Sequence, residues 1–177
     1  LTEILGEAHR GLPLWLPLLA RLSQGPRWLV WVAPPYLPYA PALAARGIRL
    51  ERLLLVRDVA SAQALWAAEQ ALRSGVCATV LIWPGQLTGA QLRRLQLAAE
   101  QGDCSGVLFR PLREARQASP ATVRLRVRPA PLGLEAELLR RRGAWGGARC
   151  IVPVNGGGED VMNEMPAVYA PVPAMDV

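Results

Sequence analysis

Hydrophobic residues fall in short, nearly unbroken runs that alternate with amphipathic stretches as far as Pro120. Leu1–Leu5 reads as a strand stopped at Gly6, and Arg27–Ala33 as a second, ended by Pro34 and Pro35. Arg52–Arg57, Ala78–Trp83 and Gly106–Arg110 read as three more. Continuous apolar runs of this length fit strands covered on both faces, as in a parallel sheet. Helices are predicted between them. Leu12–Leu22 carries Pro13 in its first turn, where a missing N–H costs nothing. Tyr39–Arg46 is stopped by Gly47. Ser61 is a suitable N-cap for a helix running to Arg73, and Thr88 caps Gly89–Gln101. Alternating strands and helices predict an α/β fold with a mostly parallel central sheet flanked by helices.

Past Pro120 the period changes. Val123, Leu125 and Val127 alternate with Arg124, Arg126 and Arg128, and Leu134–Leu139 alternates more weakly. These predict C-terminal antiparallel strands with one polar face, turning near Pro131–Gly133. Ile151–Val154 fits one more strand. Asn155–Val177 has neither period and reads as an extended acidic tail. The expected organisation is a core over 1–154 and a tail over 155–177.

Composition narrows the chemistry. The chain has 177 residues, one histidine (His9) and no lysine. That excludes a phosphate-loop lysine, a Schiff base and two-histidine metal motifs. Cys77, Cys104 and Cys150 are far apart and predict neither a disulfide framework nor a metal site. No apolar run reaches the ~18 residues of a membrane span, so a cytoplasmic protein is expected. Charge is uneven: residues 105–149 hold ten arginines against three acidic residues, and residues 150–177 hold four acidic residues and no arginine. A basic block followed by an acidic tail predicts a face for phosphate or for an acidic protein.

The run Gly6-Glu7-Ala8-His9-Arg10-Gly11-Leu12-Pro13 joins the first strand to the first helix. Its two glycines have the spacing of G-x-x-x-x-G-K-[ST], in which backbone N–H groups cradle phosphate, the lysine reaches the outer oxygens and the hydroxyl holds magnesium. Here Leu12 stands at the lysine position and Pro13 at the hydroxyl position. The order of elements resembles the ATPase core of the RecA recombinase family, element by element from Leu1 to about Trp83 and more loosely to about Leu139. That resemblance implies a RecA-like fold with a degenerate nucleotide site. The place of the family's catalytic glutamate falls near Pro34-Pro35, and Trp83 stands where the third strand would end in the magnesium-ordering aspartate. No catalytic residue, cofactor or metal is therefore expected, and the protein is read as a non-enzyme.

Two RecA-like families without the ATP site are similar to Leu95–Gly102 followed by Gly106–Pro111. Trp28–Pro41 and Ala64–Gly75 resemble the ImuA family more closely, and the chain continues past Pro111 where SulA proteins tend to stop. The resemblance to ImuA implies an accessory protein of SOS-induced translesion DNA synthesis, binding an ImuB-type Y-family-like protein and RecA or DNA. The alternative is a SulA-like division inhibitor that binds FtsZ and blocks its polymerisation. A third reading is an ATPase with displaced catalytic residues. Candidate DNA- or partner-binding residues are Arg124, Arg126, Arg128, Arg140, Arg141 and Arg142 on the paired strands, with Tyr36 and Tyr39 on a proline-rich loop. Trp15, Trp28, Trp31, Trp66 and Trp83 are expected in the core, with Trp31 and Trp83 filling the edge that a nucleotide would occupy.

Overall fold

A computed structural model describes residues 1–7, 10–143 and 146–154, and the backbone of residues 169–170. The expected alternation is present. In chain order the elements are β1 (Thr2–Leu5), α1 (Leu16–Ser23), β2 (Trp28–Val32), β3 (Leu37–Pro38), α2 (Ala40–Ala45), β4 (Leu53–Val56), α3 (Ser61–Arg73) and β5 (Cys77–Ile82). There follow α4 (Gly89–Gln101), β6 (Ser105–Arg110), β7 (Val123–Ala130), β8 (Gly133–Arg141), β9 (Arg149–Val152) and β10 (Tyr169–Ala170). Short 3-10 turns lie at Leu12–Leu14, Leu50–Arg52 and Leu112–Arg116.

Eight strands form one sheet in the order β4-β2-β5-β6-β1-β7-β8-β9. All run parallel except β8, which pairs antiparallel with β7 and β9. The β7 strand is more than half of a hairpin, because it also pairs parallel with β1, setting Glu3 beside Arg124 and Ile4 beside Leu125. Every residue of β5 is buried, as its unbroken apolar sequence requires.

Helices cover both faces. Leu16, Leu19 and Leu43 pack with Ile4, Leu29, Trp31, Leu81 and Phe109 on one side. Ala64, Ala68, Leu72, Leu92 and Leu95 pack with Val30, Val32, Val80, Ile82 and Leu108 on the other.

Local chemistry accounts for most boundaries. Pro13 and Pro17 divide the predicted first helix into a 3-10 turn and α1. Gly47 takes φ +80°, the left-handed conformation that ends α2. Thr88 caps α4, its hydroxyl accepting from the Gln91 N–H at 3.3 Å. The cap of α3 is Ala60 in place of the predicted Ser61. Gln63 Oε1 accepts the Ala60 N–H at 3.2 Å, so Ser61 already lies inside the helix.

Of the tail, Tyr169–Ala170 pair antiparallel with Leu37–Pro38, where no strand was expected. The extended-tail expectation for 155–168 and 171–177, and the expectation that His9 is a surface residue, fall outside the described residues.

Candidate functional site

The frame of two glycines lies at the C-terminal end of β1, and packing alone explains it. A Cβ on Gly6 would sit 2.7 Å from the Val127 carbonyl oxygen of β7. One on Gly11 would overlap the Ile4 side chain and come within 3.3 Å of Phe109. Leu12, at the lysine position, is buried in the core, and Pro13 is half-buried. Gly11→Ala should therefore destabilise the fold by about 1–3 kcal/mol through overpacking, read as a lower urea midpoint. An unchanged midpoint would mean that the turn yields freely.

Beside this turn the sheet edge is filled by aromatic rings. Trp31 is the penultimate residue of β2, Trp83 follows β5 and Phe109 lies near the end of β6. Trp83 stacks on Phe109 with centroids 4.6 Å apart and planes 9° from parallel. Trp31 meets Trp83 at 5.7 Å in a tilted pair. All three are buried.

The loop after β2 leaves this edge under strain, since Ala33 adopts φ +51° while its N–H donates to the Val56 carbonyl at 2.8 Å. Pro34 and Pro38 are buried and Tyr36, Leu37 and Tyr39 are exposed. The two tyrosines named from sequence thus share one short loop anchored by prolines.

The arginine face differs from expectation. Arg124 is not at the surface. Its Nε donates to Glu3 at 2.6 Å, and its Nη2 donates to the Glu114 carbonyl at 2.9 Å. The parallel register of β1 and β7 puts a buried carboxylate beside it, which draws the guanidinium inward. Arg110 completes the group, donating to Glu3 at 2.7 Å and to Glu114 at 2.9 Å. Arg126 is occupied by Glu137 on β8, and Arg140 donates to the Ser119 carbonyl at 2.6 Å. Arg128, Arg141 and Arg142 remain exposed, with Arg142 3.9 Å from Glu100. Four of the six candidates, Arg128, Arg140, Arg141 and Arg142, are therefore exposed, and of these Arg140 and Arg142 already have a partner.

The hydrogen bond from Arg126 holds the Glu137 carboxyl below its usual range, against a smaller opposing effect of burial, with Arg149 adding to the shift. A depressed acid stabilises above its unfolded pKa and loses that contribution as pH falls through its folded value. Burial pushes the Cys104 thiol up to about 12, with nearby Cys77 adding to the shift.

Sequence reasoning missed two features. Trp66, expected in the core, is 64% exposed on the outer face of α3, because Ala64, Ala68 and Leu72 supply the buried stripe. The Glu3, Arg110, Glu114 and Arg124 group was also missed. Its signal was a lone acid inside the apolar run Leu1–Leu5, which demands a buried cation.

The fold and this edge define a mixed-sheet α/β domain whose strand ends are packed with aromatic rings beside an exposed tyrosine loop. Comparison with known proteins gives the family. The model of the cell division inhibitor SulA family matches residues 6–106. The cell division inhibitor SulA of Edwardsiella piscicida is 37% identical over 95 residues, 54% of this chain and 56% of that protein. That of Yersinia pestis is 32% identical over 114 residues, 64% of this chain and 68% of that protein. The crystal structure of SulA from Pseudomonas aeruginosa matches with a TM-score of 0.53 at 32% identity, covering 63% of this chain and 96% of that one.

The chain belongs to the SulA family. It spans little more than half the length of the Edwardsiella relative. The expectation of an ImuA-type translesion adaptor with an ImuB-type partner, RecA or DNA is overturned by these matches. Its resemblance rested on Trp28–Pro41 and Ala64–Gly75, and both segments lie inside the SulA match. The extension past Pro111, taken to favour ImuA, adds β7, β8 and β9 to the sheet beyond the matched span.

Proposed function

We propose that the chain is a non-catalytic, SOS-associated inhibitor of cell division that binds the tubulin-like protein FtsZ and blocks its polymerisation in the cytoplasm. The observation that carries this reading is the SulA match across 6–106. Among the described residues no helix is long and apolar enough to cross a membrane. On this reading residues 1–154 are a RecA-like core whose nucleotide edge has been given over to Trp31, Trp83 and Phe109, followed in sequence by a tail over 155–177.

A surface that serves the family's activity belongs within the matched span. Tyr36 and Tyr39 are our choice of anchors there, since rigidly held aromatic side chains carry most interface energy. Arg128, Arg141 and Arg142 lie beyond the span and serve to steer an acidic partner, an effect on association rate that salt screens.

The test is FtsZ polymerisation followed by light scattering and sedimentation. The chain at a stoichiometric ratio should suppress assembly. Tyr36→Ala with Tyr39→Ala should raise the half-inhibitory concentration at least roughly tenfold with an unchanged circular dichroism spectrum. Undiminished polymerisation with the unaltered chain would overturn the reading. Full inhibition by the double variant would move the surface elsewhere on 6–106.

A further inference from the structure

The pairing of β10 with β3 falls on the loop that carries Tyr36 and Tyr39, and the proposed function gives it no part. Backbone hydrogen bonds fasten both ends of this loop. The Ala33 N–H donates to the Val56 carbonyl at 2.8 Å, and the Tyr39 carbonyl accepts from the Ala42 N–H at 3.0 Å and the Leu43 N–H at 3.2 Å. Between these anchors β10 runs antiparallel to β3, with Tyr169 opposite Pro38 and Ala170 opposite Leu37. Opposed residues in such a ladder alternate between pairs that exchange both N–H···O bonds and pairs that exchange none. Pro38 has no N–H to exchange. The pair that exchanges both bonds is therefore Leu37 with Ala170. Each of these two residues stands immediately before a proline, Pro38 and Pro171, a position that favours extended backbone. With β10 in place Tyr36 is 44%, Leu37 38% and Tyr39 48% exposed. The added strand thus ties the backbone of the loop and leaves its side chains open.

We propose that β10 braces the Tyr36–Tyr39 loop for partner binding, and that Ala170 is the positioning residue, through the N–H it donates to the Leu37 carbonyl. The proposal rests on the FtsZ reading of that loop. A loop already ordered gives up less freedom on binding, so its aromatic anchors bind more tightly. A masking strand would have to cover those anchors, and this one leaves them exposed. An isolated two-stranded ladder is marginally stable in water, so loss of one of its hydrogen bonds is enough to release the loop. The brace lies outside the span 6–106 matched by the family, and it acts on a loop inside that span.

Two variants of the full chain test the proposal. Ala170→Pro removes the N–H, and Ala170→Ser keeps it. In the FtsZ assay Ala170→Pro should raise the half-inhibitory concentration about fivefold, as when the competent loop falls to about a fifth of the population. Ala170→Ser should inhibit like the parent, and both variants should keep the parent's urea midpoint. Without FtsZ, hydrogen exchange followed by mass spectrometry should be about fivefold faster over 34–39 in Ala170→Pro alone. Should the parent chain leave FtsZ polymerisation undiminished, the FtsZ reading fails, and the exchange result still decides whether β10 braces the loop. Equal exchange in all three chains would overturn the proposal. In an assay where the parent inhibits, so would an unchanged half-inhibitory concentration for Ala170→Pro, or a lower one, the mark of a strand that shields the loop. An equal rise for Ala170→Ser would deny the N–H its part.

Discussion

Arg110→Met should cost about 3–5 kcal/mol of folding stability, the usual loss when one member of a buried ion pair is removed. The Arg110 side chain is fully buried at the end of β6, bridging Glu3 on β1 to Glu114 on the following 3-10 turn. Without it, Glu3 keeps Arg124. Glu114 keeps only Arg113, 3.5 Å away and 71% exposed, which is poor compensation for a carboxylate held out of water.

The loss measures an uncompensated charge, so it should shrink when that charge is removed as well. Arg110→Met with Glu114→Gln should therefore be less destabilised than the sum of the two single changes, a coupling read from a double-mutant cycle in urea. Arg126→Ala supplies the contrast: Glu137, in a partly buried pair, keeps Arg149 at 3.3 Å, so the loss should be about 0–1 kcal/mol and diminish with salt. A loss below about 1 kcal/mol for Arg110→Met would show that water reaches this group.

The same group shows why the sheet was only partly legible in the sequence. Five strands and their helices announced themselves, because burial on both faces demands apolar runs and helix ends demand caps. The partners of β7 did not. Val123, Leu125 and Val127 alternating with arginines is the pattern of any strand with one wet face. The second partner of β7 is β1, more than a hundred residues earlier. Only that pairing reveals that Arg124 is buried, since the side chain is polar in either setting. Trp66 failed for the opposite reason. A tryptophan in an amphipathic helix is expected inside, yet the small residues Ala64 and Ala68 had already claimed the sheet-facing stripe.

The candidate surface divides in the same way. Tyr36 and Tyr39 were legible because prolines mark a rigid loop, and the buried Pro34 and Pro38 fasten it. The arginine comb was legible as composition and misleading as geometry, since Glu3 and Glu137 hold Arg124 and Arg126 and the Ser119 carbonyl holds Arg140. The extension β7–β9 also misdirected the choice of family. A segment beyond Pro111 distinguishes two families only if each has a fixed length, and a strand added at a sheet edge leaves the rest of the core undisturbed.

Trp83→Ala is the second substitution with a large expected effect, about 3–5 kcal/mol for loss of a buried aromatic side chain. Trp83 follows the central strand β5, and its ring is shared between Phe109, stacked at 4.6 Å, and Trp31, tilted at 5.7 Å. Removal takes away both aromatic contacts at once and leaves a cavity between strands β2, β5 and β6. The parallel sheet holds these strands in register, so they cannot close it. Trp66→Ala is the internal control: the same change in chemistry at a 64% exposed position should fall within about 0.5 kcal/mol of the parent. Urea unfolding of the two variants thus separates ring burial from the intrinsic effect of losing a tryptophan. Similar losses for both would deny Trp83 its part in the core. A large loss for Trp83→Ala alone would establish that the strand ends are held together by aromatic packing. Calorimetric titration of that variant with ATP and magnesium then probes the vacated edge. Absence of saturable binding is expected, because neither Leu12 nor Pro13 offers the amine or hydroxyl that a phosphate and its magnesium require.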